Sequence, residues 1–213
     1  MNRIHGLYLL TSERHPGLAA LLADCEAALQ GGATVIQYRR KGLPPDRQRE
    51  EASALLALCQ RHRRPLIIND DVELAAAIGA DGVHLGRDDG ALAAARQRLG
   101  PQALIGASCY DQLALARQAH AAGASYLAFG SFFASPTKPH AVRPPPALLT
   151  AARRELPLPL VAIGGITAEN GGVLIDAGAD ALAVISAVLD APDISGAAAR
   201  FTRLFATTGD PTP

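Results

Sequence analysis

Residues 66–89 read LIINDDVELAAAIGADGVHLGRDD. Leu66, Ile67 and Ile68 form a short apolar run that breaks into Asn69, Asp70 and Asp71, and an Ala-rich stretch of helical character follows, closed by Gly79. A second apolar run, Val83 to Leu85, then breaks into Gly86, Arg87, Asp88 and Asp89. Strand, helix, strand is the pattern of a βαβ unit, and the two strands of such a unit must run parallel. Parallel strands end on the same edge, so both acidic clusters emerge on one rim. Carboxylates from neighbouring strand ends can hold a hard cation such as Mg2+, which takes oxygen ligands and keeps several waters. The plainer alternative is helix capping: Asp70 and Glu73 have the spacing of a capping box.

The same punctuation recurs along the chain. Gly-Ala dipeptides at 32–33, 79–80, 123–124 and 178–179 each precede an apolar run, beginning VIQY, GVHL, YLAF and ALAVI. They recur roughly every 45–55 residues, and each Gly suits the left-handed position that ends a helix. Four further apolar runs lie between them: Leu7–Leu10, Leu66–Ile68, Leu104–Ala107 and Leu160–Ile163. Eight short strands, each followed by room for a helix, predict a single (β/α)8 TIM barrel in the α/β class over residues 1–206. An open doubly wound sheet is the competing fold, but it does not require even spacing. Residues 207–213 are expected to be a frayed tail.

Composition narrows the function classes. The chain of 213 residues has 20 Lys plus Arg against 20 Asp plus Glu, so no global field draws it to nucleic acid or a membrane surface. Its three cysteines, Cys25, Cys59 and Cys109, are scattered without a CxxC pair, which suits reduced thiols rather than a disulfide or zinc framework. No apolar run approaches ~18 residues, and the first residues lack a signal-peptide pattern. The expectation is a cytoplasmic protein that acts on small molecules, with homo-oligomerisation left open.

In a barrel of this kind chemistry sits at the C-terminal strand ends, so reading those ends in order reads the site. Strand two, taken as Val35 to Lys41, puts Gln37, Arg39 and Lys41 on one face by its period of two. An Arg and a Lys on one face suit a polyanion such as diphosphate, whereas Arg40, on the other face, reads as solvated charge. Strands three and four bring the acids, and His84 reads as a packed strand residue. At the end of strand five Ser108 could donate to a phosphate oxygen or cap a helix, and Cys109 has no activating base nearby in sequence. After strand six the segment 135–139, Ser-Pro-Thr-Lys-Pro, carries two hydroxyls and Lys138 in a stiff loop, an anion grip or simply a rigid turn. Strand seven ends in Gly164-Gly165 and strand eight in Ile185-Ser186, at a rim where backbone N–H groups often cradle phosphate. The residues alone therefore suggest a metal-assisted diphosphate site facing a monophosphate site, fit for joining two phosphorylated small molecules.

These motifs together resemble the thiamine phosphate synthase family over nearly the whole chain. The matching stretches are GLYLLT, VIQYRRK, the segment 66–89, IGAS, FGSFFASPTKP, VAIGGIT and GADALAVIS. The resemblance implies a (β/α)8 transferase that couples 4-amino-2-methyl-5-(diphosphooxymethyl)pyrimidine with a 4-methyl-5-(2-phosphooxyethyl)thiazole, as the carboxylate or its decarboxylated form. The products would be thiamine phosphate and diphosphate. It also implies roles: Gln37, Arg39 and Lys41 for the pyrimidine diphosphate, with Asn69 near the same substrate, and Ser108 contacting the pyrimidine substrate. Asp70 and Asp89 would hold Mg2+, and Ser135, Thr137 and Lys138 would lie around the thiazole phosphate and departing diphosphate. Gly165, Ile185 and Ser186 would grip the thiazole phosphate through the backbone. Arg39, Lys41 and Lys138, with the metal, would stabilise the leaving group.

The chain departs from the family pattern at Arg40, where an acid is common, at Ser135, where Thr is common, and at Tyr110, where many relatives carry His. Arg40 could alter the diphosphate side. Two other readings compete: a thiazole tautomerase-like paralogue, and a non-catalytic protein that binds thiazole or thiamine phosphate. The acid pair and the diphosphate-side residues disfavour both.

Overall fold

A computed structural model describes residues 4–86, 91–134 and 142–206. The chain alternates strand and helix from the start. Its first half comprises β1 (Gly6–Leu10), α1 (Leu18–Gln30), β2 (Ala33–Tyr38), α2 (Pro45–Arg61), β3 (Leu66–Asn69), α3 (Val72–Ile78), β4 (Gly82–Leu85) and α4 (Leu92–Leu99). The second half comprises β5 (Leu104–Tyr110), α5 (Leu113–Ala121), β6 (Tyr126–Gly130), α6 (Ala147–Glu155), β7 (Leu160–Ile163), α7 (Gly172–Asp176) and β8 (Ala181–Val184). Two helices follow β8: a short α8 (Ser186–Leu189) and α9 (Ile194–Ala206). All eight strands are parallel and pair in sequence order, and β1 closes on β8 with Leu7 opposite Leu182. That last pairing excludes the open sheet. The expected tail, residues 207–213, lies outside the described residues, among which no helix is long and apolar enough to cross a membrane.

Both faces of each strand are covered, which is why the strands read as nearly unbroken apolar runs. One face packs on the helices: Leu7, Leu9, Ile36, Ile68 and Phe129 belong to the layer between barrel and helix ring. The other face fills the barrel interior, where Tyr8, Val35, Ile67, Tyr126 and Val161 form a second, separate core.

The repeated Gly-Ala dipeptides build the N-terminal rim. Gly79 takes φ 70°, ψ 38°, the left-handed conformation that ends α3, and Gly32, Gly123 and Gly178 also have positive φ. After Gly79 the Ala80 N–H donates back to Ala75 O at 3.0 Å, the closing bond of a Schellman turn. The next residue then clamps the neighbouring strand. Asp81 N–H donates to Leu66 O (3.1 Å), while its carboxylate accepts from Leu66 N–H (2.9 Å). Ser125 does the same to Ile105 (2.6 and 3.1 Å), and Asp180 to Leu160 (2.8 and 2.7 Å). Two arginines reinforce this. Arg96 donates to Gly123 O and Ser125 Oγ, and Arg153 to Gly178 O and the Asp180 carboxylate.

Two local expectations change. β2 ends at Tyr38 rather than running to Lys41. The cap of α3 is Asp71, whose carboxylate accepts from Leu74 N–H at 2.8 Å, and Glu73 pairs instead with Arg98. Asp70 is therefore not a helix cap.

Candidate active site

The C-terminal strand ends enclose a cavity of about 500 Å³. Gln37 and Arg39 from the β2 end, Asn69 from β3 and Ser108 from β5 line it, and Gly165, Ile185 and Ser186 line its other wall. Strand closure thus brings seven of the sequence-selected residues around one space. Lys41 and Asp70 open instead onto an adjoining cavity of about 280 Å³, which also reaches Asn69. Beyond Tyr38 the chain has left the strand, so the period of two no longer carries Lys41 to the face of Gln37.

The floor of the main cavity is a chain of hydrogen bonds across five strands. Gln37 Nε2 donates to the Tyr8 hydroxyl (2.8 Å), which lies 2.8 Å from that of Tyr126. The Tyr126 hydroxyl is 3.1 Å from His84 Nδ1, and His84 Nε2 is 3.0 Å from Ser108 Oγ. Burial pushes both tyrosine phenols well above their ordinary range, so they remain neutral donors. Gly106 makes this chain of bonds possible: a Cβ there would lie 2.1 Å from Tyr126 Cζ and 2.5 Å from His84 Nδ1.

Tyr8 and Tyr126 line the cavity too, and a reading of strand ends does not reach them because they lie below the ends. His84 is a packed strand residue as expected, but it also lines the cavity. Alternation was the available signal, since Tyr8 shares a face with Leu10, and Tyr126 with Ala128.

On the β2–β3 side, charge is paired around the strand ends. Lys41 Nζ is 2.5 Å from Asp70 Oδ2, and Arg39 Nη1 is 3.4 Å from Glu13 Oε1. The Arg39 N–H donates to Thr11 Oγ1 at 2.8 Å, tying β2 to the end of β1. Asp70 has φ 64°, and its N–H donates to His84 O at 2.9 Å. Positive φ is unusual outside Gly and least costly for Asn and Asp.

Arg40 is not solvated charge. It is buried, ion-paired with Glu51 of α2, and donates to the carbonyls of Ser12 and His15. Its side chain turns onto α2 and the β1–α1 loop rather than onto water.

On the β7–β8 side, Gly164 and Gly165 have φ of 104° and 62°. A Cβ on Gly164 would lie 1.9 Å from Ser131 Oγ, and one on Gly165 2.2 Å from Ala134 O, so the segment after β6 packs directly on this turn. Asn170 holds the turn closed, accepting from Thr167 N–H and donating to Gly165 O. Ile185 and Ser186 lie at the start of α8.

Asp89, Ser135, Thr137 and Lys138 lie outside the described residues. Among the described residues no group of three His, Cys, Asp or Glu side chains is arranged to hold a metal. Burial pushes the Cys109 thiol up to about 12, which leaves it protonated at neutral pH and unsuited to act as a nucleophile.

Residues 7–188 match the family described as thiamine monophosphate synthase. The chain is 57% identical to the thiamine-phosphate synthase of Thiobacillus denitrificans over 94% of its own length and 95% of the relative's. It is 55% identical to that of Methylobacillus flagellatus, with 95% and 96% covered. Among solved structures it is similar to the thiamine phosphate pyrophosphorylase from Pyrococcus furiosus, with a TM-score of 0.86 and 33% identity over 96% of this chain and 97% of that one.

Proposed function

The chain belongs to the thiamine monophosphate synthase family and is a thiamine-phosphate-forming transferase, and from that premise we propose which substrates it joins and which residues act on them. The substrates are 4-amino-2-methyl-5-(diphosphooxymethyl)pyrimidine and a 4-methyl-5-(2-phosphooxyethyl)thiazole, in solution in the cytoplasm. The observation that carries this reading is the two-sided cavity. Gln37, Arg39, Asn69 and Ser108 line one wall and Gly165, Ile185 and Ser186 the other, in a space of about 500 Å³. That volume suits small-molecule ligands.

The residues divide the work by chemistry. Gln37, Asn69 and the Ser108 hydroxyl offer hydrogen bonds to the aminopyrimidine. Arg39 and Lys41, with Lys138, balance charge that grows on the departing diphosphate. The backbone at Gly165, Ile185 and Ser186 holds the thiazole phosphate, with Ser135 and Thr137 beside it. The C–O bond to diphosphate breaks, the electron-rich aminopyrimidine supports the methylene cation, and the thiazole nitrogen captures it. No protein nucleophile takes part. The protein contributes orientation and charge stabilisation.

Mg2+ fits the donors present. Asp70 is a hard carboxylate freed from capping by Asp71, at a mouth where a diphosphate would supply further oxygens. Asp70 and Asp89 would hold the ion, which when bound supplies positive charge against the diphosphate oxygens.

The test is to incubate both substrates with the protein and Mg2+ and follow thiamine phosphate and diphosphate. The two products are expected in equal amounts, with formation lost on chelation. Folded protein that yields neither would overturn the reading.

A further inference from the structure

Arg40 ties together three segments that the sequence keeps apart. Its side chain is 6% exposed and that of Glu51 7%, so this ion pair is shut away behind the mouth. Guanidinium Nη1 donates to Ser12 O (3.2 Å) and His15 O (2.9 Å), in the loop between β1 and α1. Nη2 donates to Glu51 Oε1 (3.5 Å) and Nε lies 3.4 Å from Oε2, while the Tyr38 hydroxyl donates to Oε2 at 3.0 Å. His15 Nδ1 lies 3.1 Å from Asp24 Oδ2, which fixes the far side of the same loop to α1. Nη1 thus anchors the loop at two carbonyls three residues apart while Nη2 and Nε face the Glu51 carboxylate, a spread that a single ammonium cannot reproduce.

Glu13 lies between those two anchored carbonyls. Its Oε1 accepts from Lys41 N–H at 3.0 Å and lies 3.4 Å from Arg39 Nη1. One carboxylate therefore meets the Arg39 guanidinium and the Lys41 backbone, while the Lys41 ammonium pairs with Asp70.

We propose that Arg40 and Glu51 act through Glu13 as positioning residues that pre-set Arg39 for the pyrimidine diphosphate. This rests on the assignment of Arg39 to the diphosphate side. A long, partly exposed Arg loses rotamer freedom when it grips an anion, and a side chain held beforehand loses less. Glu13 does the holding at the edge of the mouth, and the buried pair keeps Glu13 in register with β2. The effect is then specific to the diphosphate side, with none expected at the thiazole phosphate side.

The experiment is steady-state kinetics with each substrate varied against saturating partner. Removing Arg40 alone would strand a buried carboxylate and endanger the fold, so the strut is replaced as a pair, Arg40→Met with Glu51→Gln. Exposed Glu13 is changed separately to Ala and to Gln. The pair variant and Glu13→Ala are each expected to raise KM for the pyrimidine diphosphate about fivefold while leaving KM for the thiazole phosphate within about twofold. Glu13→Gln, which keeps an acceptor oxygen, should recover part of the loss. The triple variant should be no worse than the worse of its parents, because both act through one contact. Arg39→Met serves as the control. If it leaves the pyrimidine KM unchanged, the diphosphate assignment fails and the proposal falls with it. If Arg39→Met raises that KM but Glu13→Ala or the pair leaves it unchanged or lowers it, the positioning role alone is overturned. Parallel increases in both KM values, or fully additive losses in the triple variant, would overturn it too.

Discussion

The two ends of this barrel are built from the same eight strands, yet they treat polar groups in opposite ways. At the N-terminal rim three polar residues are consumed by the fold: Asp81, Ser125 and Asp180 each pair both the N–H and the C=O of one residue on the neighbouring strand. At the C-terminal rim, polar side chains such as Gln37, Asn69 and Ser108 turn towards a cavity. Changes at one end should therefore cost stability, and changes at the other should cost rate.

The largest expected effect is at the mouth. Asp70→Asn keeps a residue that tolerates φ 64° and leaves the α3 cap on Asp71 intact. It should lower kcat roughly a hundredfold or more through lost charge at the diphosphate side, with a thermal midpoint close to the parent's. A stability loss without a rate loss would erase the contrast between the rims.

Next comes the opposite end. Asp180→Ala removes the acceptor for Leu160 N–H and the partner of Arg153. Denaturant unfolding should show a loss of about 1–3 kcal/mol, with kcat per folded molecule unchanged. A variant as stable as the parent would show that the rim clamp contributes little.

The smallest effect is expected at Tyr110, which lines the cavity. Coupling needs diphosphate departure and nitrogen attack rather than proton transfer to a base at this position, so Tyr110→Phe should retain most of the rate. The parent, given the thiazole alone, should show little isomerisation by NMR. Rapid isomerisation that disappears in Tyr110→Phe, with no coupling by the parent, would favour a tautomerase instead.

Much of this organisation could be read along the chain, and the exceptions are instructive. The segment 66–89 disclosed a βαβ unit because strand and helix periodicities are local. The strand-end reading also named Gln37, Arg39, Asn69 and Ser108, all of which line the cavity. Reading failed where neighbours compete. Asp70 and Asp71 are equally suited to cap α3, and only the backbone turn at φ 64° decides that Asp71 does so. Arg40 reads as a solvated charge because outward from an isolated strand means water, whereas outward from this barrel means α2 and the loop before α1. The floor of hydrogen bonds went unseen because Tyr8 and Tyr126, 118 residues apart, meet only once the sheet closes.

The eight alternating strand–helix units, their punctuation and the chemical types gathered at the strand ends were legible along the chain. Those depend on periodicity, turn conformation and composition, which act over a few residues. Which of two adjacent acids caps a helix, which of three consecutive cations is buried, and which side chains meet across the floor were decided by tertiary structure alone. Such choices depend on closure of β1 onto β8 and on the helix packed behind each strand, contacts that no local pattern encodes.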